Sequence, residues 1–181
     1  MTVRELSIPG LFVVERPTMS DERGFFREVV RWDELEAAVG REFRPVQWNH
    51  SVSAPGVLRA LHAEAWNKLV YPVTGTMFAA VVDIRPDRAT FGTVEEIRLD
   101  AAEPRALFIP SGLANSICVS GTEPVHYLYL VDSYYDGSDT RAVAWDDPDL
   151  AIEWPVAEPV LSERDRSNPT LRELFPERFA G

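Results

Sequence analysis

Short apolar stretches separated by turn-forming residues recur along the whole chain. The 14 prolines and 10 glycines break the sequence at the spacing that is typical of short strands and turns. Between the breaks, apolar and polar residues alternate, which favours strands that are buried on one face. The pattern predicts strands at Gly10–Val14, Phe25–Val30, Gln47–Val52, Val57–His62, Asn67–Pro72, Gly75–Ile84, Gly92–Leu99, Arg105–Ile109, Asn115–Val119 and His126–Ser133.

Helix signals are few. One helix is predicted at Trp32–Val39, with Gly40 as its C-cap, and a short one at Thr170–Phe175 in the proline-rich tail. Hairpin turns are predicted at Thr74-Gly75 and Asp87-Arg88. Many evenly spaced strands with little helix indicate an all-β jelly roll or related barrel, with its ligand in the barrel mouth. Because no linker or repeat interrupts the pattern, residues 1–181 are expected to form a single domain.

Alternation also assigns side chains to the two faces of a strand. It places Arg59 and His62 on opposite faces of the strand that contains both. On two other strands it groups polar side chains on one face, namely Gln47, Asn49 and Ser51, and then Tyr127 and Tyr129. Such rows indicate either a polar-lined barrel interior or a face that is turned to solvent.

Charge and composition exclude several classes of protein. The net charge of −11 argues against nonspecific nucleic-acid binding, although a local arginine cluster could still hold an anionic ligand. No apolar run approaches the length of a membrane span, and the N-terminus shows no apolar signal region. A soluble cytoplasmic protein without a membrane partner is therefore expected. The single cysteine, Cys118, lies in an apolar stretch and is expected to be a small core residue.

Lys68 stands out because it is the only lysine among 18 lysine and arginine residues. If arginine replaces lysine wherever the exchange is harmless, the remaining lysine marks a place that requires a compact ammonium group. Together with the nearby His62, it could abstract a proton beside a carbonyl group. The chance survival of a surface lysine explains the observation equally well.

The remaining residues of the chain support few kinds of chemistry. The three histidines, His50, His62 and His126, include no His-x-His pair, so a transition-metal site is not favoured. The chain has no glycine-rich phosphate loop and no nucleophile motif. Acid–base chemistry by histidine, lysine, tyrosine and carboxylate side chains remains.

Several separate segments, in order and in spacing, resemble the dTDP-4-dehydrorhamnose 3,5-epimerases, cupin-type jelly-roll enzymes of deoxysugar biosynthesis. The resemblance runs from Ile8 to Leu171. The segments include Asp21-Glu22-Arg23-Gly24-Phe25-Phe26-Arg27-Glu28, Gln47-Trp48-Asn49-His50-Ser51, Gly56-Val57-Leu58-Arg59-Ala60-Leu61-His62, Lys68-Leu69-Val70, Ile109-Pro110-Ser111-Gly112-Leu113-Ala114 and Leu161-Ser162-Glu163-Arg164-Asp165.

The resemblance implies a cupin-type jelly-roll barrel and a set of roles. It implies that His62 is the catalytic base, Asp165 the carboxylate that orients it, Tyr129 the proton donor and Lys68 the cation near the substrate carbonyl. The positions that match the family's dTDP-binding residues are Arg23, Glu28, Gln47, Asn49 and Arg59, with Tyr135 stacking near the thymidine. It also implies a homodimer in which the segment from Arg23 to Glu28 completes the partner's nucleotide site. The reaction, proton abstraction beside a ketone, requires no cofactor and no metal.

The chain departs from the family pattern at some positions. Asn115 stands where the family has a histidine near the substrate, and Asn115 cannot titrate. Glu64 adds a negative charge near the proposed base, and Thr140, next to Asp139, replaces a family glutamate. Arg164 replaces a lysine and preserves its charge, and both Arg164 and Asn115 are expected to be substrate-binding residues. These departures leave open whether both C3 and C5 of the sugar are epimerised.

Four functions therefore remain for comparison. The leading one is conversion of dTDP-4-dehydro-6-deoxy-D-glucose to dTDP-4-dehydro-L-rhamnose. The second is 3- or 5-monoepimerisation of a related nucleotide-linked 4-keto-6-deoxysugar. A metal-dependent oxygenase of the same fold is disfavoured by the missing His-x-His pair. A non-catalytic sugar-nucleotide binder is disfavoured because His62, Lys68, Tyr129 and Asp165 are all present.

Overall fold

The structure is a computed structural model that describes residues 2–136 and 141–180. Asp139 and Thr140, which carry one of the departures from the family pattern, lie outside the described residues. The strands are β1 (Thr2–Glu5), β2 (Phe12–Glu15), β3 (Met19–Asp21), β4 (Gly24–Phe26), β5 (Gln47–Ser53), β6 (Leu58–Ala63), β7 (Lys68–Pro72), β8 (Thr76–Asp83), β9 (Val94–Asp100), β10 (Arg105–Ile109), β11 (Leu113–Val119), β12 (Val125–Val131) and β13 (Arg141–Ala142). The helices are α1 (Trp32–Val39), α2 (Glu163–Arg166) and α3 (Leu171–Leu174), followed by a 3-10 turn at Pro176–Arg178.

The strands form two antiparallel sheets that face each other. Within the described residues, one sheet has six strands in the order β1-β2-β10-β7-β12-β5, and the other has five in the order β13-β6-β11-β8-β9. Strands β3 and β4 form a separate hairpin. The expected all-β, cupin-type jelly-roll barrel with a few short helices is confirmed.

The core between the sheets takes side chains from both. Val13, Leu107 and Val70 come from the larger sheet, and Val81 and Leu99 come from the smaller one. Each of them is almost fully buried, as a half-buried strand requires of its inward positions. This apolar cluster fills part of the barrel and leaves the remainder to the polar side chains described below.

The outer face of each sheet is covered by a different part of the chain. Helix α1 places Leu35 against Phe108 on the outside of the larger sheet, and Gly40 ends the helix with φ 68°. The C-terminal segment covers the smaller sheet, where Leu171 and Phe175 are packed against Leu58. Because α1 and α3 match the predicted bounds closely, both helix predictions are confirmed.

Two predictions about local structure are wrong. Thr74-Gly75 is not a hairpin turn, because β7 pairs with β10 and β12 while β8 pairs with β11 and β9, so the chain changes sheets there. The strand predicted at Phe25–Val30 ends at Phe26. Beyond it, the Arg27 guanidinium donates to the backbone carbonyls of Ala101, Ala102 and Glu103, and this fixes an irregular segment against a neighbouring turn.

A β-bulge in β6 overturns the predicted separation of Arg59 and His62. His62 pairs with Asn115 and Arg59 pairs with Ile117, so two residues of β6 stand opposite one residue of β11. The extra residue shifts the side-chain phase by one position. Arg59 and His62 consequently line the same cavity, while Leu58, Ala60, Leu61 and Ala63 are packed on the other side of the sheet.

The remaining alternation predictions agree with the structure. Gln47, Asn49 and Ser51 line cavities inside the barrel, and Trp48 and Val52 of the same strand are exposed. Cys118 is fully buried as expected, and burial raises the pKa of its thiol to about 11. No helix among the described residues is both long enough and apolar enough to cross a membrane.

Candidate active site

A cavity of about 140 Å³ opens between the two sheets. Its polar wall is formed by strands β6, β7, β11 and β12 and the residues next to them. The side chains that matter for its chemistry are Arg59, His62, Glu64, Lys68, Asn115 and Tyr129. The residues that this chain could use for acid–base chemistry thus converge from both sheets.

His62 and Asp165 form a tight pair at one wall. The His62 Nε2 and Asp165 Oδ1 atoms lie 2.6 Å apart, and the side chains are 28% and 5% exposed. Burial acts to raise the pKa of Asp165, but hydrogen bonds from His62, the Ser162 hydroxyl and the Ala60 backbone outweigh it and hold the pKa below its ordinary value. Asp165 therefore remains an anion that fixes the imidazole ring.

The C-terminal segment brings Asp165 to His62 across 103 residues of sequence. Val160 forms an isolated parallel bridge with Val57, which anchors the segment to the start of β6. Ser162 caps α2 by accepting a hydrogen bond from the Asp165 amide. The Asn168 side chain donates to the Ala60 carbonyl at 3.3 Å. These contacts place the carboxylate under the strand that carries the histidine.

Lys68 is buried and held by two oxygen acceptors. Its Nζ donates to Glu64 Oε1 at 2.6 Å and to Asn115 Oδ1 at 3.2 Å. Asn115 Nδ2 in turn donates to Glu64 Oε2 at 2.9 Å and to the His62 carbonyl at 2.7 Å. The lone lysine is therefore part of a closed polar network at the cavity and does not lie on the outer surface.

Tyr129 faces the same cavity from β12. Its ring stacks on Tyr127 at a centroid distance of 6.1 Å, and Lys68 Nζ lies 5.3 Å from its centroid. Burial, together with the neighbouring Tyr127 and Glu64, raises the pKa of the Tyr129 hydroxyl. The phenol therefore keeps its proton at neutral pH and is available as a donor.

A wider cavity of about 320 Å³ adjoins the first and shares His62, Glu64 and Tyr129 with it. Its outer wall contains five further residues, Gln47, Asn49, Trp66, Tyr135 and Arg164. The Gln47 side chain accepts from the Tyr135 amide at 3.0 Å and donates to Asn49 at 2.8 Å, which links β5 to the loop after β12.

Two buried donors at this outer wall lack a protein acceptor. In the described part of the chain, neither Asn49 Nδ2 nor Trp66 Nε1 has a hydrogen-bond partner. Buried polar groups are almost always paired, so a water or a ligand is expected to supply acceptors to these two donors. Trp66 also meets Tyr135 edge to face at 6.3 Å.

Arg59 lies at the inner cavity, where its guanidinium donates to the Ser53 hydroxyl at 3.0 Å and to the Val52 carbonyl. These contacts fix its stem while the side chain remains accessible. An arginine in this position can add positive charge for an anionic ligand.

Two predicted binding residues lie elsewhere in this subunit. Arg23 is at the tip of the β3–β4 hairpin, 83% exposed and paired with Asp21 at 2.6 Å. Glu28 contacts Arg31 and Arg16, and Arg31 is the main reason that its pKa is lowered. Neither residue lines the cavities that contain His62.

The sequence did not single out every residue that the cavities contain. Trp66 lines the outer cavity and was not predicted. Tyr127 and Ser51 line the inner cavity without an assigned role, although alternation had placed both on polar faces. Trp66 lies in the loop between β6 and β7, where no periodicity applies. Among the described residues, no group of three or more histidine, cysteine, aspartate or glutamate side chains is arranged to hold a metal ion.

Comparison with known proteins gives a consistent result. Residues 5–173 match the family described as dTDP-4-dehydrorhamnose 3,5-epimerase. A relative from Shigella flexneri with that name is 40% identical over 169 residues, covering 91% of this chain and 93% of the relative.

Solved structures agree in fold. The 4-keto-6-deoxy sugar epimerase NovW from Streptomyces spheroides superposes with a TM-score of 0.93 at 34% identity, over 98% of this chain and 90% of that one. The dTDP-6-deoxy-D-glucose-3,5-epimerase of Legionella pneumophila, in complex with dTDP-4-keto-L-rhamnose, superposes with a TM-score of 0.90 at 33% identity. That likeness covers 98% of this chain and 96% of the other.

Proposed function

The chain belongs to the dTDP-4-dehydrorhamnose 3,5-epimerase family, and on that basis we propose that it converts dTDP-4-dehydro-6-deoxy-D-glucose to dTDP-4-dehydro-L-rhamnose. One observation carries the proposal. His62, a buried lysine and a protonated tyrosine border the same cavity, and Asp165 is paired with His62 from behind. Together they supply a base, a cation for an oxyanion and an acid.

His62 takes the proton in this mechanism. The substrate is a 4-ketohexose, so the hydrogens on C3 and C5 both lie beside the ketone and are acidified by it. Asp165, 2.6 Å from His62 Nε2, fixes the tautomer that leaves the other ring nitrogen free to accept a proton. The same carboxylate stabilises the imidazolium that forms. One base therefore serves both carbons.

Lys68 stabilises the charge that proton removal creates. As the proton leaves, negative charge moves from carbon to the ketone oxygen. An ammonium group that is already held at 9% exposure interacts with that oxygen more strongly than one in water would. Because the ammonium is fixed before the reaction, little reorganisation is needed in the transition state.

Tyr129 returns a proton to the opposite face of the sugar. Inversion requires a donor on the side away from the base, and burial keeps the Tyr129 hydroxyl protonated. Deprotonation by His62 and reprotonation by Tyr129 together invert one carbon.

The outer cavity, together with Arg59 at the adjoining inner cavity, would hold the nucleotide. Arg59 and Arg164 suit a diphosphate, whose oxygens match the forked donors of a guanidinium. The unpaired donors of Asn49 and Trp66 would meet acceptor oxygens of the same ligand. Tyr135, 61% exposed, offers a ring on which a base can stack.

We propose a homodimer in which Arg23 and Glu28 serve the partner's nucleotide site. The hairpin that carries Arg23 exposes Phe25 and Phe26 to more than 60% in the isolated subunit. Strand β5 is an edge of the larger sheet and exposes Trp48. Exposed apolar side chains and an open edge both favour association with a second copy.

The chemistry proposed here uses no cofactor and no metal, so dialysis against a chelator should leave the rate unchanged. Loss of activity on chelation, with recovery on adding a divalent ion, would contradict the mechanism.

We place the enzyme in the cytoplasm, because a charged nucleotide sugar does not cross a lipid bilayer unaided. No nucleic-acid or membrane partner is proposed.

A monoepimerase acting at C3 or C5 alone is the second candidate. Asn115 and Glu64 alter the wall near the substrate, and the similar NovW is described only as a 4-keto-6-deoxy sugar epimerase. Proton NMR of the 4-ketosugar in D2O tests both candidates, because loss of signal at C3 and at C5 is recorded separately. Exchange and inversion at both carbons is expected. Exchange at one carbon alone would favour the monoepimerase, and none at either would reject both.

A further inference from the structure

We propose that Glu64 is a positioning residue that holds and orients the Lys68 ammonium for the developing oxyanion. This inference rests on the proposed epimerase function. Glu64 follows β6 directly and borders both cavities. Its side chain is 14% exposed and that of Lys68 is 9% exposed, so solvent screens their ion pair little.

Hydrogen-bond geometry explains the need for a carboxylate at this position. Glu64 Oε1 accepts from Lys68 and Oε2 accepts from Asn115 Nδ2. A glutamine could accept from Lys68, but its amide nitrogen would then face the Asn115 amide nitrogen, donor against donor. Asn115 cannot turn over to relieve the clash, because its Nδ2 also donates to the His62 carbonyl. The network therefore requires two acceptor oxygens on residue 64.

The same network directs the lysine. An ammonium group has three N–H donors. Two of them are used by Glu64 and Asn115. The third donor remains for the ketone oxygen of the substrate. Glu64 also balances the buried positive charge of Lys68 until the substrate oxygen takes up negative charge. Through Asn115, the same carboxylate is linked by hydrogen bonds to the backbone carbonyl of His62.

Because Lys68 is the only lysine, its ammonium can be observed alone. Protein labelled with ¹⁵N at lysine Nζ should give one ammonium cross-peak, protected from solvent exchange by its two acceptors. The peak should disappear in Glu64→Gln. It should persist in Glu96→Gln, the matched change at an exposed glutamate on β9. This measurement needs no substrate, so its result does not depend on the proposed reaction.

Kinetics provides the second test. Glu64→Gln should lower kcat by roughly tenfold, less than removal of a direct oxyanion donor, while KM and dTDP affinity change by less than about twofold. Glu64→Asp, which keeps both acceptors and the charge, should recover part of the loss. The proposal would be overturned if the wild type gave no protected Nζ signal, or if that signal survived in Glu64→Gln. An unchanged kcat in an active Glu64→Gln enzyme would do the same. Absence of any deuterium exchange by the wild type would reject the epimerase function instead, and the Nζ result would still test the contact.

Discussion

At the level of single residues, the contact between His62 and Asp165 fixes the ionised form of the carboxylate and the tautomer of the imidazole. A buried carboxylate that accepts several hydrogen bonds stays ionised, and its anion holds the imidazole in one tautomer. The cavity therefore combines a prepared base with a phenol, Tyr129, that burial keeps protonated. Burial acts to raise the pKa of both Asp165 and Tyr129. Only Asp165 accepts enough hydrogen bonds to offset its burial, so its pKa is lowered while that of Tyr129 is raised.

His62→Ala should abolish deuterium exchange at both C3 and C5 and leave dTDP binding within about twofold of the wild type. One base is proposed to serve both carbons, and the proposed nucleotide contacts are made by other residues, including Arg59 and Arg164. Exchange is followed by proton NMR in D2O and binding by calorimetry. Wild-type exchange at either carbon would mean that a different base serves it.

Tyr129→Phe should separate proton removal from inversion. The ring and its stacking on Tyr127 are kept, so packing changes little, but the donor hydroxyl is lost. Deuterium should still enter the starting isomer through His62, while the epimer forms slowly or incompletely. Tyr135→Phe is the control and should be mild, since the proposed role of Tyr135 is stacking. If Tyr135→Phe blocks inversion and Tyr129→Phe does not, the proton donor is Tyr135.

Asp165→Asn should lower stability in a manner that depends on pH. The pKa of Asp165 is lowered in the folded state, so its contribution is present above the ordinary value of 3.8 and is lost as pH falls through the lowered value. The variant should lose about 1–3 kcal/mol at pH 7, and the difference should shrink at about pH 3. Urea unfolding at both pH values measures this. Asp87→Asn, at an exposed carboxylate, should show little loss at either pH.

At the scale of elements, the position of the site depends on a bulge and a tail. The bulge in β6 puts Arg59 and His62 into one cavity. The tail from Val160 onward adds Asp165 and seals the outer face of the smaller sheet. Because α3 is only four residues long, it depends on its cap and on the burial of Leu171. The tail therefore contains one part that serves function, at Asp165, and another that serves stability, at α3, and the two can be changed separately.

Thr170→Ala should destabilise the protein by about 1 kcal/mol, because it removes the hydroxyl that accepts from the Glu173 amide in the capping box. Deuterium exchange should be nearly unaffected, since Ser162 and Val160 hold Asp165 independently. Thr170→Ser, which keeps the hydroxyl, should restore most of the lost stability. Urea unfolding and the exchange assay measure the two effects, and a large loss of exchange in Thr170→Ala would show that the tail moves as one unit.

At the scale of the whole molecule, the proposed nucleotide site draws on a second subunit. The hairpin that carries Arg23 is separate from the two large sheets and exposes two phenylalanines, and Arg23 does not line the cavity that contains His62. A second copy that receives this hairpin would bury the phenylalanines and supply the arginine. The proposed dimer thus accounts for an exposed apolar surface and for a displaced binding residue together.

Mixing two inactive variants tests the exchange of Arg23 between subunits. Arg23→Ala and His62→Ala should each be inactive or nearly so alone. After equal mixing and subunit exchange, half the dimers are mixed and one of their two sites is intact, so roughly a quarter of wild-type activity should return. If Arg23 served its own subunit, no site would be intact and no activity would return. Light scattering that shows an active monomer would also contradict the dimer.

Local signals in the sequence were enough to predict the fold class, helices α1 and α3, and most strands. Alternation located most strands, Gly40 marked the end of α1, and the tail was predicted to contain a short helix, because such signals come from residues that are close in the chain. The excess of arginine drew attention to Lys68 before any contact was known. The resemblance in ordered segments gave the family, which the comparisons confirmed.

Which side chains meet at the site depends on contacts between distant parts of the chain. Periodicity placed Arg59 and His62 on opposite faces, and the bulge reversed this, because a bulge depends on the register of the neighbouring strand β11. The change of sheet after β7 and the contacts of Asn115 with Glu64 and Lys68 depend in the same way on partners that are distant in sequence. A local pattern carries no record of such partners, because hydrogen bonds between strands are set by how the whole barrel closes.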